Sequence, residues 1–355
     1  MRRILPAFVL VLAFTAPAVA AGKYSVEKKT VEGYTTYHLL DAQQKMDVGI
    51  VPEMGDVVYE FKVNGKDVLV PVSSLKEFLA RHAVSAGMAF LAPWPNRIDH
   101  DYYYFEGKKY LLNDEQGNLM RVPPLNLAIH GLLVFNPNWR VVKEGASNDE
   151  GAFVTSRLHF FRYADLMAQF PFAETYEITY RLKDGRLENT TRVFNNSATD
   201  IPVFYGYHPY FRPDGPRENW QVSINATRHW KVNDHRRLIP TGETEAAGDY
   251  LPHLNAFTLG KTFIDDGFSG LVRGTDGLAH YWVKGKTERV ELVFGKQYDF
   301  GHVYAPLGRP TICFEPQTGP ANAFNLNHAG KFPGLIVLKA GEKFEAHFWI
   351  VPTGF

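Results

Sequence analysis

The sequence predicts an all-β fold, one large antiparallel β-sandwich with a few short helices. Three observations carry this expectation. Glycine-centred turn signals recur between apolar or β-branched runs along the whole chain. Apolar and polar residues alternate in Tyr176–Tyr180 and Arg289–Phe294, the period of a strand with one buried face. Helical periodicity is scarce, and there is no strand–helix rhythm of the kind that builds a parallel sheet.

In chain order, the first segment is residues 1–20. Arg2 and Arg3 precede an apolar stretch from Ile4 to Phe14, and Ala18-Val19-Ala20 closes the segment. A basic start, a short apolar run and a small-residue end form the pattern of a secretory signal peptide. A membrane anchor needs about 20 unbroken apolar residues, whereas Pro6 and Pro17 interrupt a shorter run here. The expectation is an exported protein, periplasmic or secreted, with residues 21–355 as a single domain and no membrane association once the signal is removed. Ser74 to His82 reads as a short helix, capped by Ser74, with Leu75, Phe78 and Leu79 on one face. Hairpins are expected at Val63-Asn64-Gly65-Lys66, Phe105-Glu106-Gly107-Lys108, Lys183-Asp184-Gly185-Arg186 and Val283-Lys284-Gly285-Lys286. In each, glycine would supply the positive φ of a tight turn. The lone cysteine, Cys313, excludes an intramolecular disulfide framework, so stability must come from the core.

Composition and missing motifs narrow the function. Hydrophobic residues at 45% and aromatics at 14% exclude a disordered chain. The 38 basic residues only balance the 38 acidic ones, so there is no surplus to attract nucleic acid or an acidic membrane. Removal of Arg2 and Arg3 with the signal leaves the mature chain slightly acidic, which suits a neutral ligand better than a phosphorylated one. The chain contains no GxGxxG, GxxxxGK[ST], GxSxG or HExxH, and Gly267-Phe268-Ser269-Gly270 falls one residue short of a nucleophile elbow. None of the thirteen histidines falls in a spaced ligand cluster.

Four segments place polar residues in apolar or rigid surroundings. In Pro93-Trp94-Pro95-Asn96-Arg97-Ile98, two prolines stiffen the approach to a polar pair. The Arg97 guanidinium there could hold a sugar hydroxyl or carboxylate, or could be the solvated tip of a surface turn. His130 sits inside the apolar run Leu127–Leu133, a position open to a buried structural histidine as well as to a catalyst. In Tyr205-Gly206-Tyr207-His208-Pro209-Tyr210-Phe211 a histidine stands among aromatics that suit either a sugar face or the core. In Thr311–Gln317, strand geometry puts Cys313 and Glu315 on one face and Ile312 and Phe314 on the other. A carboxylate between Phe314 and Pro316 either faces water or, if buried, has a raised pKa.

Together and in this order, the segments resemble the aldose 1-epimerase (galactose mutarotase) family. The resemblance rests on Asn96-Arg97, His130-Gly131, His208-Pro209-Tyr210-Phe211, Asp265-Asp266-Gly267-Phe268 and Glu315-Pro316-Gln317. Val337–Glu342 is similar to the family's closing turn, and the likeness spans roughly residues 35 to 352. Departures are Leu132 where a second glycine is common, Tyr207 where another histidine is common, and Thr318–Asn322 in place of a Pro-Asp pattern.

The resemblance implies the galactose mutarotase-like super-sandwich and a cofactor-independent isomerase acting on a free monosaccharide, glucose- or galactose-like, as monomer or homodimer. It implies Glu315 as general base and His208 as general acid in ring opening. Reference pKa values near 4.3 and 6.5 would leave Glu315 ionised and His208 partly protonated around neutrality. It further implies that Asn96, Arg97, His130 and Asp265 bind the sugar, with Asp266 the neighbouring alternative to Asp265. Two other readings stay open: a non-catalytic carbohydrate-binding protein on the same scaffold, and a hexose-6-phosphate mutarotase, which would need further Lys or Arg around the site.

Overall fold

The computed structural model describes residues 22–355 apart from His235, so the expected signal peptide lies outside the described residues. Two large antiparallel sheets face each other. One has twelve strands and runs, edge to edge, through Tyr24–Val31, Tyr34–Asp41, Met46–Val51, Val57–Val63, Met88–Leu91, Gly206–Phe211, Ile312–Gln317, Phe300–Ala305, Ile264–Leu271, Ala226–Val232 and Pro240–Ala246, with Lys66–Asp67 beside Val57–Val63. The other has nine strands, with Glu174–Lys183, Arg186–Asn195 and Lys343–Thr353 near its middle. The all-β sandwich expected from the sequence is the fold observed.

Alternation explains which faces meet. Tyr176, Ile178 and Tyr180 are buried while Glu177 and Arg181 are turned toward the outside. Across the interlayer space, Phe90 meets Tyr176 at 5.6 Å between ring centroids, Tyr207 meets Phe348 at 4.9 Å, and Tyr281 meets Phe314 at 5.8 Å. Aromatic pairs of this geometry contribute about 0.5–1.5 kcal/mol each beyond the area they bury. The aromatic stripe at Tyr205 and Tyr207 is therefore core, and both rings are fully buried.

Three of the four hairpins form as expected, with positive φ at Asn64-Gly65, Glu106-Gly107 and Asp184-Gly185. The fourth differs. Lys284 pairs with Arg289, so the connection is a four-residue loop, and Gly285 does not have a positive φ. Glycine is needed there because a Cβ would lie 2.0 Å from the Asp214 carbonyl oxygen. The helix runs Leu75–Arg81, and Ser74 Oγ accepts the Glu77 amide at 3.2 Å. Three further helices, Ala164–Gln169, Ala247–Tyr250 and Ala323–His328, are too short for periodicity to reveal. Cys313 is buried and unbridged. Among the described residues no helix is long and apolar enough to cross a membrane.

Candidate active site

Strands Gly206–Phe211, Ile312–Gln317, Phe300–Ala305 and Ile264–Leu271 lie side by side in the twelve-stranded sheet. Their inner residues fill the interlayer core, and the alternate residues point to the other face. There His208, Tyr210, Asp265, His302, Tyr304 and Glu315 form the floor of a cavity of about 260 Å³. Asn96, Arg97, Ile129 and His130 supply the wall from two loops. All six residues singled out from the sequence thus line one cavity.

The loops are held by backbone geometry. The His130 amide donates to the Asn96 carbonyl at 2.9 Å, the Asn96 amide donates to His130 Nδ1 at 3.2 Å, and Arg97 bridges to Ile129. Because Nδ1 accepts that bond, the ring proton of neutral His130 sits on Nε2, facing the site. Asn96 and His130 adopt φ of 55° and 62°, and Gly131 follows at 71°. A Cβ on Gly131 would lie 2.1 Å from the Ala92 carbonyl oxygen, which explains the glycine after His130.

On the floor, His208 Nε2 lies 3.2 Å from Glu315 Oε1, and Gln317 Nε2 donates to Glu315 Oε2 at 3.0 Å. The Tyr210 ring stacks on His208 at 4.6 Å and is anchored by its hydroxyl to the Val84 carbonyl at 2.8 Å. His302 Nε2 meets Asp265 Oδ1 at 2.8 Å, and Arg97 Nη2 approaches Asp265 Oδ2 at 3.5 Å. Arg97 also donates to Asn96 Oδ1 at 2.9 Å, while Asn96 Nδ2 lies 3.4 Å from His302 Nδ1. Asp265 is thus the cavity aspartate. Asp266 points to the opposite face, where His229 and Tyr250 hold it.

Burial changes the protonation expected from reference values. Desolvation pushes the Glu315 carboxyl up to about 7. Desolvation, reinforced by the charge of His302, pulls His208 down to about 3. Burial and the neighbouring His208, Arg97 and His302 hold His130 well below the usual imidazole range. Burial opposes the charge on His302 too, but Glu315 and Asp265 outweigh it and hold the pKa above its ordinary value. Asp265 stays below the usual carboxylate range: burial raises it, and the hydrogen bond from His302 together with the charges of His302 and Arg97 outweighs that. The surroundings of the cavity thus favour the charged ring at His302 and the neutral ring at His208.

His302 lines the cavity but is not among the residues the sequence singles out. Its signal lies in strand register: it pairs directly with Glu315 on the next strand, and that register is not readable from local sequence. Arg97 is the only Lys or Arg among the residues lining the cavity. Among the described residues one group elsewhere brings three possible metal ligands together, His38, Asp47 and Glu60, on paired strands far along the same sheet. That trio is internally satisfied: Asp47 Oδ1 meets His38 Nδ1 at 2.7 Å, Tyr59 meets His38 Nε2 at 2.9 Å, and Lys62 covers Glu60.

A twelve-on-nine antiparallel sandwich with a polar cavity on the outer face of its larger sheet defines a protein of the galactose mutarotase-like class. The chain belongs to the aldose 1-epimerase family, whose model matches residues 39–350. The family's activity is of the mutarotase type, an isomerisation of free sugars. The fold is similar to a galactose mutarotase-like protein from Clostridium acetobutylicum (TM-score 0.80, 23% identity, covering 94% of this chain and 99% of that one). It is also similar to a Synechocystis protein (TM-score 0.71, 22% identity, 92% and 98% covered). A third similar structure is galactose 1-epimerase from Lactobacillus acidophilus (TM-score 0.72, 15% identity, 94% and 100% covered).

Proposed function

We propose that this protein is an aldose 1-epimerase that interconverts the α and β anomers of a free aldohexose by acid–base ring opening. The observation that carries the reading is the buried Glu315–His208 contact of 3.2 Å at the cavity floor. Opening a cyclic hemiacetal requires removing the C1 hydroxyl proton and delivering a proton to the ring oxygen. With the sugar seated at the pair, carboxylate Glu315 takes the hydroxyl proton as the C1–O5 bond breaks. Protonated His208 gives its proton to O5. Rotation about C1–C2 follows, and ring closure with the roles exchanged restores both groups and yields either anomer.

The pair thus carries one exchangeable proton throughout, passed from His208 to Glu315 through the sugar and back. Between about pH 3 and pH 7 the free pair holds that one proton, and the reactive arrangement is reached by its transfer across the contact. Each acid or base role typically supplies about 10²- to 10⁴-fold. Asp265, Arg97, Asn96 and the Nε2–H of His130 surround the remaining hydroxyls, and charged partners make the stronger hydrogen bonds that fix ring orientation. A phosphorylated hexose is a poorer fit, because the single arginine of the cavity is already engaged by Asp265. The pattern of residues 1–20 supports action outside the cytoplasm.

Polarimetry tests the reading. Freshly dissolved α-glucose or α-galactose equilibrates faster when the protein is added. Binding without acceleration on any aldose would instead establish a carbohydrate-binding module.

A further inference from the structure

A second, larger cavity of about 680 Å³ lies on the same face of the same sheet, immediately beside the first. Strand register fixes the relationship. Moving across the floor from Glu315, the next strand presents its partner His302, and the next after that presents Gly267, which pairs with His302. One strand further, Arg228 pairs with Ser269 and His229 with Phe268, which brings Trp230 toward Gly267. Phe300 and Ser269, two and four residues along from His302 and Asp265, point to the same face and line the second cavity. Gly267 adds no side chain to the floor between the two. A Cβ there would lie 3.0 Å from the Phe300 ring and 3.9 Å from His302 Nδ1.

The second cavity combines aromatic side chains with a few polar groups, the composition of small-molecule sites, with Trp230 and Phe300 largely buried and Phe332 partly exposed. Trp230 packs against Phe300 at 5.4 Å and Phe332 at 5.9 Å. Ser269 Oγ accepts the Trp230 indole N–H at 2.9 Å, and Arg228 donates to Thr244 at 3.1 Å. Asp299 and Gln297 complete a rim offering both donors and acceptors.

We propose that this cavity is a subsite for a second sugar ring, so that the preferred substrate is a reducing di- or oligosaccharide whose terminal ring occupies the catalytic cavity. This rests on the mutarotase reading, which places the anomeric carbon at the Glu315–His208 end. Neighbouring strands are about 4.8 Å apart, roughly the width of one pyranose ring. The edge of the bound ring remote from C1 then lies over His302 and Gly267, aimed at Trp230. A glycosyl group joined at the 3- or 4-hydroxyl continues into the second cavity, while the C1 hydroxyl stays free for ring opening.

The test compares mutarotation of glucose with that of cellobiose, maltose, lactose and laminaribiose by the wild type and Phe332→Ala, a change at a partly exposed loop residue. The wild type is expected to show at least about tenfold higher kcat/KM on one of the disaccharides than on its parent hexose, and Phe332→Ala to cut that ratio about tenfold. Equal rates on hexoses and all disaccharides overturn the subsite and leave the mutarotase reading intact. A disaccharide preference that Phe332→Ala leaves unmoved also overturns it, since the second ring then lies elsewhere. Acceleration on no sugar overturns the mutarotase reading instead. Calorimetric titration of the Glu315→Gln protein with the same disaccharides then judges the subsite alone: tighter binding than glucose that weakens with Phe332→Ala supports it, and binding no tighter than glucose overturns it.

Discussion

Glu315 Oε1 and His208 Nε2 stand 3.2 Å apart on adjacent strands, with side-chain exposures of 1% and 7%. So little water reaches the pair that burial, rather than the charge of either partner, dominates both titrations. It moves them in opposite senses, the carboxyl up and the imidazole down. A carboxyl brought to about 7 is matched to proton transfer near neutrality.

The pH dependence follows. Above about 7 the free pair loses its single proton, and below about 3 it holds two. The profile of kcat/KM, which reports the free enzyme, is expected to fall as pH rises through about 7, with its acid limb far below the ordinary imidazole value. Polarimetric rates corrected for spontaneous mutarotation give the profile. A flat response from pH 6 to 9 would be inconsistent with a one-proton pair.

His302→Gln should move the alkaline limb upward. The charge on His302 holds both Glu315 and His208 down, so its removal raises both. Loss of the 2.8 Å contact to Asp265 should also weaken sugar binding, seen as a raised KM. An unmoved limb would show that His302 carries no charge in the working range.

Glu315→Gln is expected to stabilise the fold at alkaline pH. The unfolded carboxyl titrates near 4.5 and the folded one near 7, so between these values the folded state binds more protons and stability falls with rising pH. Glutamine removes that loss, on the order of 3 kcal/mol above pH 7. The variant should therefore melt higher than the wild type at pH 8 and match it near pH 4. A lower Tm at pH 8 would contradict the buried-carboxyl account.

Gly131→Ala should damage both fold and activity. The new Cβ meets the Ala92 carbonyl oxygen at 2.1 Å and the backbone φ is 71°, so the His130 loop must shift. A stability loss of about 3 kcal/mol or more is expected by urea unfolding, together with reduced turnover.

Much of this site could be read from the sequence because its residues sit in short segments with distinctive neighbours. Asn96-Arg97, His130-Gly131, His208 and Glu315 each interrupt an apolar or proline-stiffened stretch, and all line the cavity. The alternation of Ile312–Gln317 correctly divides Phe314 from Glu315, because side-chain direction along a strand is a local property. Register is not local. It decides that His302 faces Glu315, which no local pattern shows, and that Asp265, the aspartate the resemblance favours, turns into the cavity while its alternative Asp266 does not. Gly285 marks the same limit: its need for glycine comes from Asp214, some seventy residues distant in sequence, and not from the turn. The protonation of Glu315 and His208 depends on burial among strands far apart in the chain, which reference pKa values do not contain.

In the proposed ring opening Glu315 takes and returns the C1 hydroxyl proton of the bound sugar. Two-dimensional exchange NMR measures α-to-β interconversion of ¹³C1-labelled glucose and galactose at equilibrium, without a coupled assay. Wild-type protein should produce anomer cross-peaks well above the spontaneous rate, and Glu315→Gln should bring them back to it while its melting transition shows it folded. Wild-type cross-peaks that persist undiminished in folded Glu315→Gln would contradict the assignment.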